Sequence, residues 1–157
     1  MRLLFRILLI AVILIFVVIQ FFQPDKNESA DTENLIFKHE QIPENVQQIF
    51  KNACFDCHTN NTNYLWYHKI SPVSWMINKH IVEGKDELNF SEWGKMDNYD
   101  KIGALEDMRQ ELEQKTMPIK QYVFMHKEAK LTDDNRAAII AWIDKKGGEL
   151  VKSSNEK

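Results

Sequence analysis

The chain has 157 residues, 44% of them hydrophobic, with 20 Lys and Arg against 23 Asp and Glu for a formal net charge of −3. That length allows one small domain with its own core plus extensions. The slightly acidic balance gives no support for nucleic-acid binding, and no internal repeat suggests an array of modules.

Residues 1–22 read as a transmembrane signal anchor. Arg2 and Arg6 supply positive charge, residues 7–19 are unbroken apolar sequence, and Phe21 and Phe22 extend it. Counted from Leu3 the stretch is 20 residues, about 30 Å of helix. It spans a bilayer if Arg6 snorkels to the headgroups. A cleaved signal peptide is the alternative. Against it, the exit Gln20-Phe21-Phe22-Gln23-Pro24 places bulky side chains where a peptidase needs small ones. No acid occurs in the first 24 residues, so the basic end is expected to stay cytoplasmic. The rest of the chain is then exported, to the periplasmic side of a bacterial inner membrane.

Residues 23–41 are polar and read as a flexible tether, in which Leu35, Ile36 and Phe37 either dock on the domain or are exposed by accident. Residues 42–150 form the expected domain, and 151–157 a polar tail. Setting aside the two anchor arginines leaves 18 basic against 23 acidic residues. Such scattered acids read as ordinary solvated surface.

The periodicity of the domain is helical throughout. Pro43-Glu44 opens a first helix, and Val46, Ile49 and Phe50 make its apolar face. At its end stands Cys54-Phe55-Asp56-Cys57-His58, the C-x-x-C-H form that attaches a c-type haem. Each thiol can add to one porphyrin vinyl group, and a two-residue gap on a helical turn holds both sulfurs against one ring edge. His58 then lies under the iron and can ligate it. Cys54 and Cys57 are the only two cysteines, so the motif implies one covalent haem c.

Three other readings stand beside that one. A thioredoxin-like motif needs a strand before it, and none is legible. A structural disulfide would close a very short loop and add little. A zinc site on Cys54, Cys57 and His58 needs a fourth ligand such as His68.

After a loop of turn formers at residues 59–63, Ser71-Pro72 starts a second helix. Val73, Met76, Ile77, His80 and Ile81 share one of its faces, and Gly84 is its expected C′ stop. Asp97 or Asn98 caps a third helix with the stripe Ile102, Leu105, Met108, Leu112. A short turn follows through Tyr122, Val123 and Phe124. Thr132 caps the last helix, which Gly147-Gly148 is expected to end.

A second axial ligand is sought among Met76, Met96, Met108, Met117, Met125, His68, His80 and His126. Met117 leads. A residue before proline is pushed out of the helical region, so Met117 sits on a loop that can carry its thioether to the iron. It lies 59 residues after His58, enough chain to cross from one haem face to the other. Met76 and Met108 fall on helical stripes and read as core. His126 reads as a buried, hydrogen-bonded tie, His80 as a helix-face residue and His68 as an exposed loop residue. Trp66, Trp75 and Trp93 could donate to haem propionates, although a tryptophan is core first.

A C-x-x-C-H after a first helix, a later Met-Pro and a C-terminal amphipathic helix resemble the class I cytochrome c plan. More narrowly, the C-x-x-C-H, Trp66-Tyr67, Ser71-Pro72-Val73-Ser74-Trp75, His80-Ile81, Ser91-Glu92-Trp93, Met117-Pro118 and Tyr122 with His126 resemble the small exported haem-binding domain family. Leu65 stands where that pattern has proline. The resemblance implies an all-α, cytochrome c-like domain around one haem, preceded by one transmembrane helix, with Cys54, Cys57, His58 and Met117 as cofactor-binding residues and His58 and Met117 on the iron. Electron transfer with an unidentified redox partner is the expected task, not enzymatic catalysis, because a six-coordinate His/Met haem changes charge with little rearrangement. A haem-based sensor or peroxidase-like protein with an open distal site is the alternative. The single motif excludes a two-haem peroxidase arrangement, and no distal Arg–His pair is evident from spacing.

Overall fold

The computed structural model describes residues 1–155. Among them there are helices and no strands, as the periodicity predicts. The N-terminal helix α1 (Arg2–Ile19) has a mean hydropathy of 2.9 and buries none of its residues. It is long and apolar enough for a membrane span, a test that a signal sequence also passes. The domain follows as α2 (Ile36–His39), α3 (Glu44–Ala53), α4 (Phe55–His58), α5 (Val73–Glu87), α6 (Asn98–Glu113), α7 (Lys120–Met125) and α8 (Asp133–Asn155). Three 3₁₀ turns, Trp66–Lys69, Trp93–Lys95 and Lys127–Ala129, connect them.

The caps account for several starts. The Asp97 side chain accepts from the Asp100 N–H at 2.9 Å and opens α6. Thr132 Oγ1 accepts from Asn135 N at 3.1 Å while Asn135 Oδ1 accepts from Thr132 N at 3.0 Å, a reciprocal box that opens α8. Pro43 and Pro72 sit one residue before α3 and α5, as their N-caps. Two stops differ from expectation. Gly84 lies inside α5, and Gly147 and Gly148 lie inside α8, which runs on to Asn155. None of these glycines has a positive φ, so none makes the left-handed turn that ends a helix. The expected polar tail is therefore helical to Asn155, and its last two residues, Glu156 and Lys157, lie outside the described residues.

α6 and α8 pack side by side, and α3 crosses α8. Phe50, Phe90, Trp93, Ile36, Leu105 and Ile139 are fully buried between them. Phe50 stacks on Phe90 at 5.3 Å between centroids and meets the edge of Trp142 at 5.7 Å, the two geometries favoured by the ring quadrupole. The aliphatic side chains of Val46, Leu112, Ile143 and Leu150 complete the same buried cluster.

The segment expected to be a free tether, residues 23–41, is strapped to the domain. Ile36 is completely buried, and its N–H donates to the Phe90 carbonyl at 2.9 Å. Asn27 donates to the Thr59 carbonyl at 2.8 Å and accepts from Lys85 Nζ at 2.6 Å. The polar composition misled because these side chains bond to backbone and loop groups rather than to water. The strap ends on Glu40, buried except for 9% of its surface. Its carboxylate takes Trp93 Nε1–H at 2.8 Å, Lys101 Nζ at 3.9 Å and the Lys146 ammonium. A buried carboxylate needs such partners, and these three tie the strap to α6 and α8.

Glu40→Ala removes one anion and leaves two lysines and an indole N–H facing each other. It should lower unfolding stability by about 3 kcal/mol, read as a fall in denaturant midpoint at unchanged slope. Glu28→Ala breaks only the exposed 2.9 Å pair with Lys26 and should cost under about 0.5 kcal/mol.

Candidate functional site

The site begins where α3 stops. The backbone turns at Cys54, and α4 then makes a single turn in which Cys57 N and His58 N both donate to the Cys54 carbonyl, at 3.2 and 2.9 Å. Residues three and four apart on a helical turn share a face, so Cys54, Cys57 and His58 lie together.

His58 is held from two sides by the extended segment after α5. Its Nδ1 lies 3.0 Å from the Leu88 carbonyl, which can only accept, so Nδ1 carries the proton. Its own carbonyl accepts from Phe90 N at 2.8 Å. With Nδ1 protonated, the lone pair lies on Nε2, the arrangement that orients a metal-ligating histidine. Burial holds the proton affinity of the ring below the ordinary histidine range, and the neutral form is the one a metal needs.

Burial, with Cys57 beside it, pushes the Cys54 thiol up to about 12. Burial, with the Asp56 carboxylate, pushes Cys57 up to about 11. Both are therefore neutral thiols at physiological pH. A thioredoxin-like pair needs a depressed thiol pKa, the opposite of what is found here. The zinc reading also lacks its ligands, since no cluster of three or more His, Cys, Asp or Glu side chains suited to a metal occurs among the described residues.

Two adjoining cavities open around this turn. The larger, about 470 Å³, is walled by Cys54, His58, Met117, Met108, Phe50 and Leu131, among others. The smaller, about 180 Å³, is walled by Cys57, His58, His80, Met117 and Tyr122. His58, Met117 and Pro118 border both, so the two spaces together collect both cysteines, the histidine and the leading methionine. The larger one has the size of a cofactor pocket. An oriented imidazole, two neutral thiols and a thioether around mostly apolar walls fit a haem.

The Met117 loop is set by the end of α6. Lys115 takes the left-handed conformation at φ 57°. Lys115 N donates to Leu112 O at 3.3 Å and Thr116 N to Glu111 O at 3.1 Å, the paired bonds of a Schellman stop. Arg136 of α8 then donates to the Met117 carbonyl at 2.9 Å and to the Leu112 carbonyl at 3.3 Å. One guanidinium thus fastens the loop to the helix before it and the helix after it.

Of the other ligand candidates, His80 and Met108 reach the cavity walls and His126 does not. His126 is buried, with Nε2 at 2.5 Å from the Tyr67 hydroxyl and its ring stacked 4.1 Å from Tyr122. It is buried and hydrogen-bonded as the sequence suggests, but its partner is the Tyr67 turn rather than the last helix. His68, expected on an exposed loop, is buried because Nδ1 caps the turn by accepting from Leu65 N at 3.1 Å. Met76 is exposed rather than core. The tryptophans are occupied elsewhere or open: Trp93 donates to Glu40, Trp75 to the Phe22 carbonyl, and Trp66 is in solvent.

Leu88, Arg136 and Gly84 position the site and were not singled out for it in the sequence. Leu88 and Arg136 act through a backbone carbonyl and a guanidinium, and no spacing advertises either. Gly84 carried a signal that was read as a helix stop. A Cβ there would stand 3.0 Å from the Cys57 carbonyl oxygen and 3.3 Å from its Cβ.

Gly84→Ala sets a helix-propensity gain of about 1 kcal/mol against overpacking of about 1–3 kcal/mol. The obstructing atom is backbone, so a net loss of about 1 kcal/mol is expected. Gly103→Ala in α6 meets nothing within 4 Å and should gain most of the propensity term. Paired denaturant titrations read the opposite signs.

No curated protein and no solved structure matches the chain. The haem-binding domain family matches it over residues 14–145. That span takes in the end of α1, the strap, the C-x-x-C-H turn, the Met117 loop and most of α8. With this match over far more than half its length, the chain belongs to the haem-binding domain family.

Proposed function

We propose that the protein is a membrane-anchored, exported monohaem c-type cytochrome that transfers electrons through a haem ligated by His58 and Met117. The observation that carries this reading is the His58 ring, fixed by Leu88 with its lone pair on Nε2, in a space it shares with Met117 and both cysteines.

The haem would supply a one-electron couple. The chain's own residues do the rest. Cys54 and Cys57 would hold the haem, each thiol adding across one vinyl group with sulfur bonding to one carbon and hydrogen to the other. Their raised proton affinity is unlike that of a redox dithiol. His58 would ligate through Nε2 while Leu88 holds Nδ1–H, and Met117 would offer its sulfur from a loop that Arg136 fastens. Phe50, Leu131 and Ile139 wall the larger cavity with apolar surface, which limits water and, with a thioether ligand, favours the ferrous state. The length of α1, with Arg2 and Arg6 at its start, supports an anchor with the domain on the periplasmic side of a bacterial inner membrane. A partner protein supplies or removes the electron, and no residue is assigned catalytic work.

Protein matured with haem-attachment machinery should carry one haem through two thioethers, read by mass spectrometry and by a haem stain on a denaturing gel. Two free thiols and no added mass would sink the assignment.

Met117→Ala should keep the haem, since the thioethers do not involve it. The iron should turn partly high-spin, bind carbon monoxide when reduced and fall in potential. An unchanged low-spin spectrum would move the ligand to His80 or Met108, which border the same space.

A further inference from the structure

A third cavity, about 520 Å³, lies beyond the haem site and shares Cys57, His80, Ile119 and Tyr122 with its smaller compartment. Its walls are mainly apolar: Val73, Met76, Ile77 and Ile81 of α5, with Ile119, Phe124 and Met125 from the α7 region. Met76, Phe124 and Met125 are also well exposed, Phe124 by 81%, so the mouth itself is apolar. Soluble surfaces rarely expose such groups together without a use for them.

The polar groups of this cavity are few and uncharged where they count. The Tyr67 and Tyr122 rings supply flat walls. His68 accepts through Nδ1 from Leu65, so its proton lies on Nε2 and is offered as a donor. His80 adds a second imidazole. The one wall carboxylate, Asp56, is engaged by the Tyr122 hydroxyl at 2.8 Å and Asn63 N at 3.0 Å. The one lysine, Lys120, is exposed. An anionic headgroup would find no buried cation here, whereas a neutral ring bearing oxygens would find donors, acceptors and aromatic faces.

The N-terminal end of α5, which supplies one wall of the cavity, lies against the end of α1. Gln20 exchanges two hydrogen bonds with the Ser71 backbone, at 3.1 and 2.9 Å, and Trp75 Nε1–H donates to the Phe22 carbonyl at 2.6 Å. Ser71 and Trp75 flank the first turn of α5, which contributes Val73 and Met76 to the cavity. With α1 in a bilayer, the α5 side of the cavity stands near the lipid surface, which favours a lipid-soluble ligand.

We propose that this cavity binds a neutral, lipid-soluble quinone or hydroquinone, its ring among Tyr67, His68, His80 and Tyr122 and its tail leaving past Met76, Phe124 and Met125. The proposal rests on the anchor reading above and names the class of electron donor for that reading. Oxidising a hydroquinone to the quinone breaks two O–H bonds and releases two protons to solvent and two electrons. Each copy of a one-haem chain takes one electron at its ferric iron, so one ligand serves two copies.

The test uses the full-length, haem-loaded chain in detergent micelles, titrated with decyl-benzoquinone in a calorimeter. Saturable binding at one site is expected. Met76→Glu and Phe124→Ser, both at exposed mouth positions that the fold does not need, should each weaken it about tenfold. Trp66→Ser removes an equally open apolar side chain outside the cavity and should leave it unchanged. Unsaturable partitioning, an equal loss in Trp66→Ser, or competition by decanol as strong as that by the quinone would overturn the site. Reduction of the same sample by dithionite and its haem stain separate the two readings. Attached, reducible haem with no quinone binding overturns this inference alone. Saturable quinone binding to a chain that carries no haem supports the site and overturns the cytochrome reading.

Discussion

The site depends on one short run of backbone. Residues 88–90 give the Leu88 carbonyl to His58 Nδ1, the Phe90 N–H to the His58 carbonyl and the Phe90 carbonyl to Ile36 N–H. A single extended segment therefore sets the tautomer of the histidine, the position of its backbone and the docking of the strap. Phe90 is also at the centre of the aromatic core, so the ring that packs the domain lies two residues from the carbonyl that orients His58 and on the residue that holds its backbone. A histidine on a free loop would sample several rotamers and both tautomers. Here packing and hydrogen bonding remove that freedom before any cofactor arrives.

The same economy appears on the other side of the cavity. The Met117 loop leaves α6 through a left-handed lysine and is caught by Arg136 before Pro118. Its two anchors are backbone carbonyls, so the methionine side chain is free of structural duty. The close approach of α5 to the C-x-x-C-H turn works in a similar way. Gly84 lets two backbones come within contact distance, which carries His80 to the smaller cavity and Ile81 into the core. The three cavities then follow one another from the N-terminal half of α5 toward α6 and α8, with Cys57 and Tyr122 bordering two of them.

The strap changes what the N-terminal segment means mechanically. A free linker would let the domain move far from α1. Hydrogen bonds from Gln20, Gln23, Asn27 and Asn34 to the domain, the burial of Ile36 and the ion cluster at Glu40 hold the two at a short, defined separation instead. Many weak polar bonds in series hold such a segment only where they share one buried anchor, and Ile36 with Glu40 provides it.

From sequence alone came the helical class, the apolar N-terminal helix, the C-x-x-C-H turn, the cap at Thr132 and a cap at Asp97 or Asn98, because each rests on local spacing or on one residue's own conformational preference. Met117 was legible as a loop residue for the same reason, through the proline after it. Tertiary structure decided what depends on contacts between distant segments. Residues 23–41 looked solvated, since their polar partners at Thr59, Ser71 and Lys85 are far along the chain. Gly84 and Gly147-Gly148 looked like helix stops, since composition cannot tell a left-handed turn from a close approach or an ordinary helical glycine. His68 looked exposed until the turn it caps folded over it. Leu88 stood in a stretch that resembles the family but carried no signal for its role, and Arg136 carried none, because a backbone carbonyl and a half-buried arginine acquire their roles only when the fold brings them to His58 and Met117.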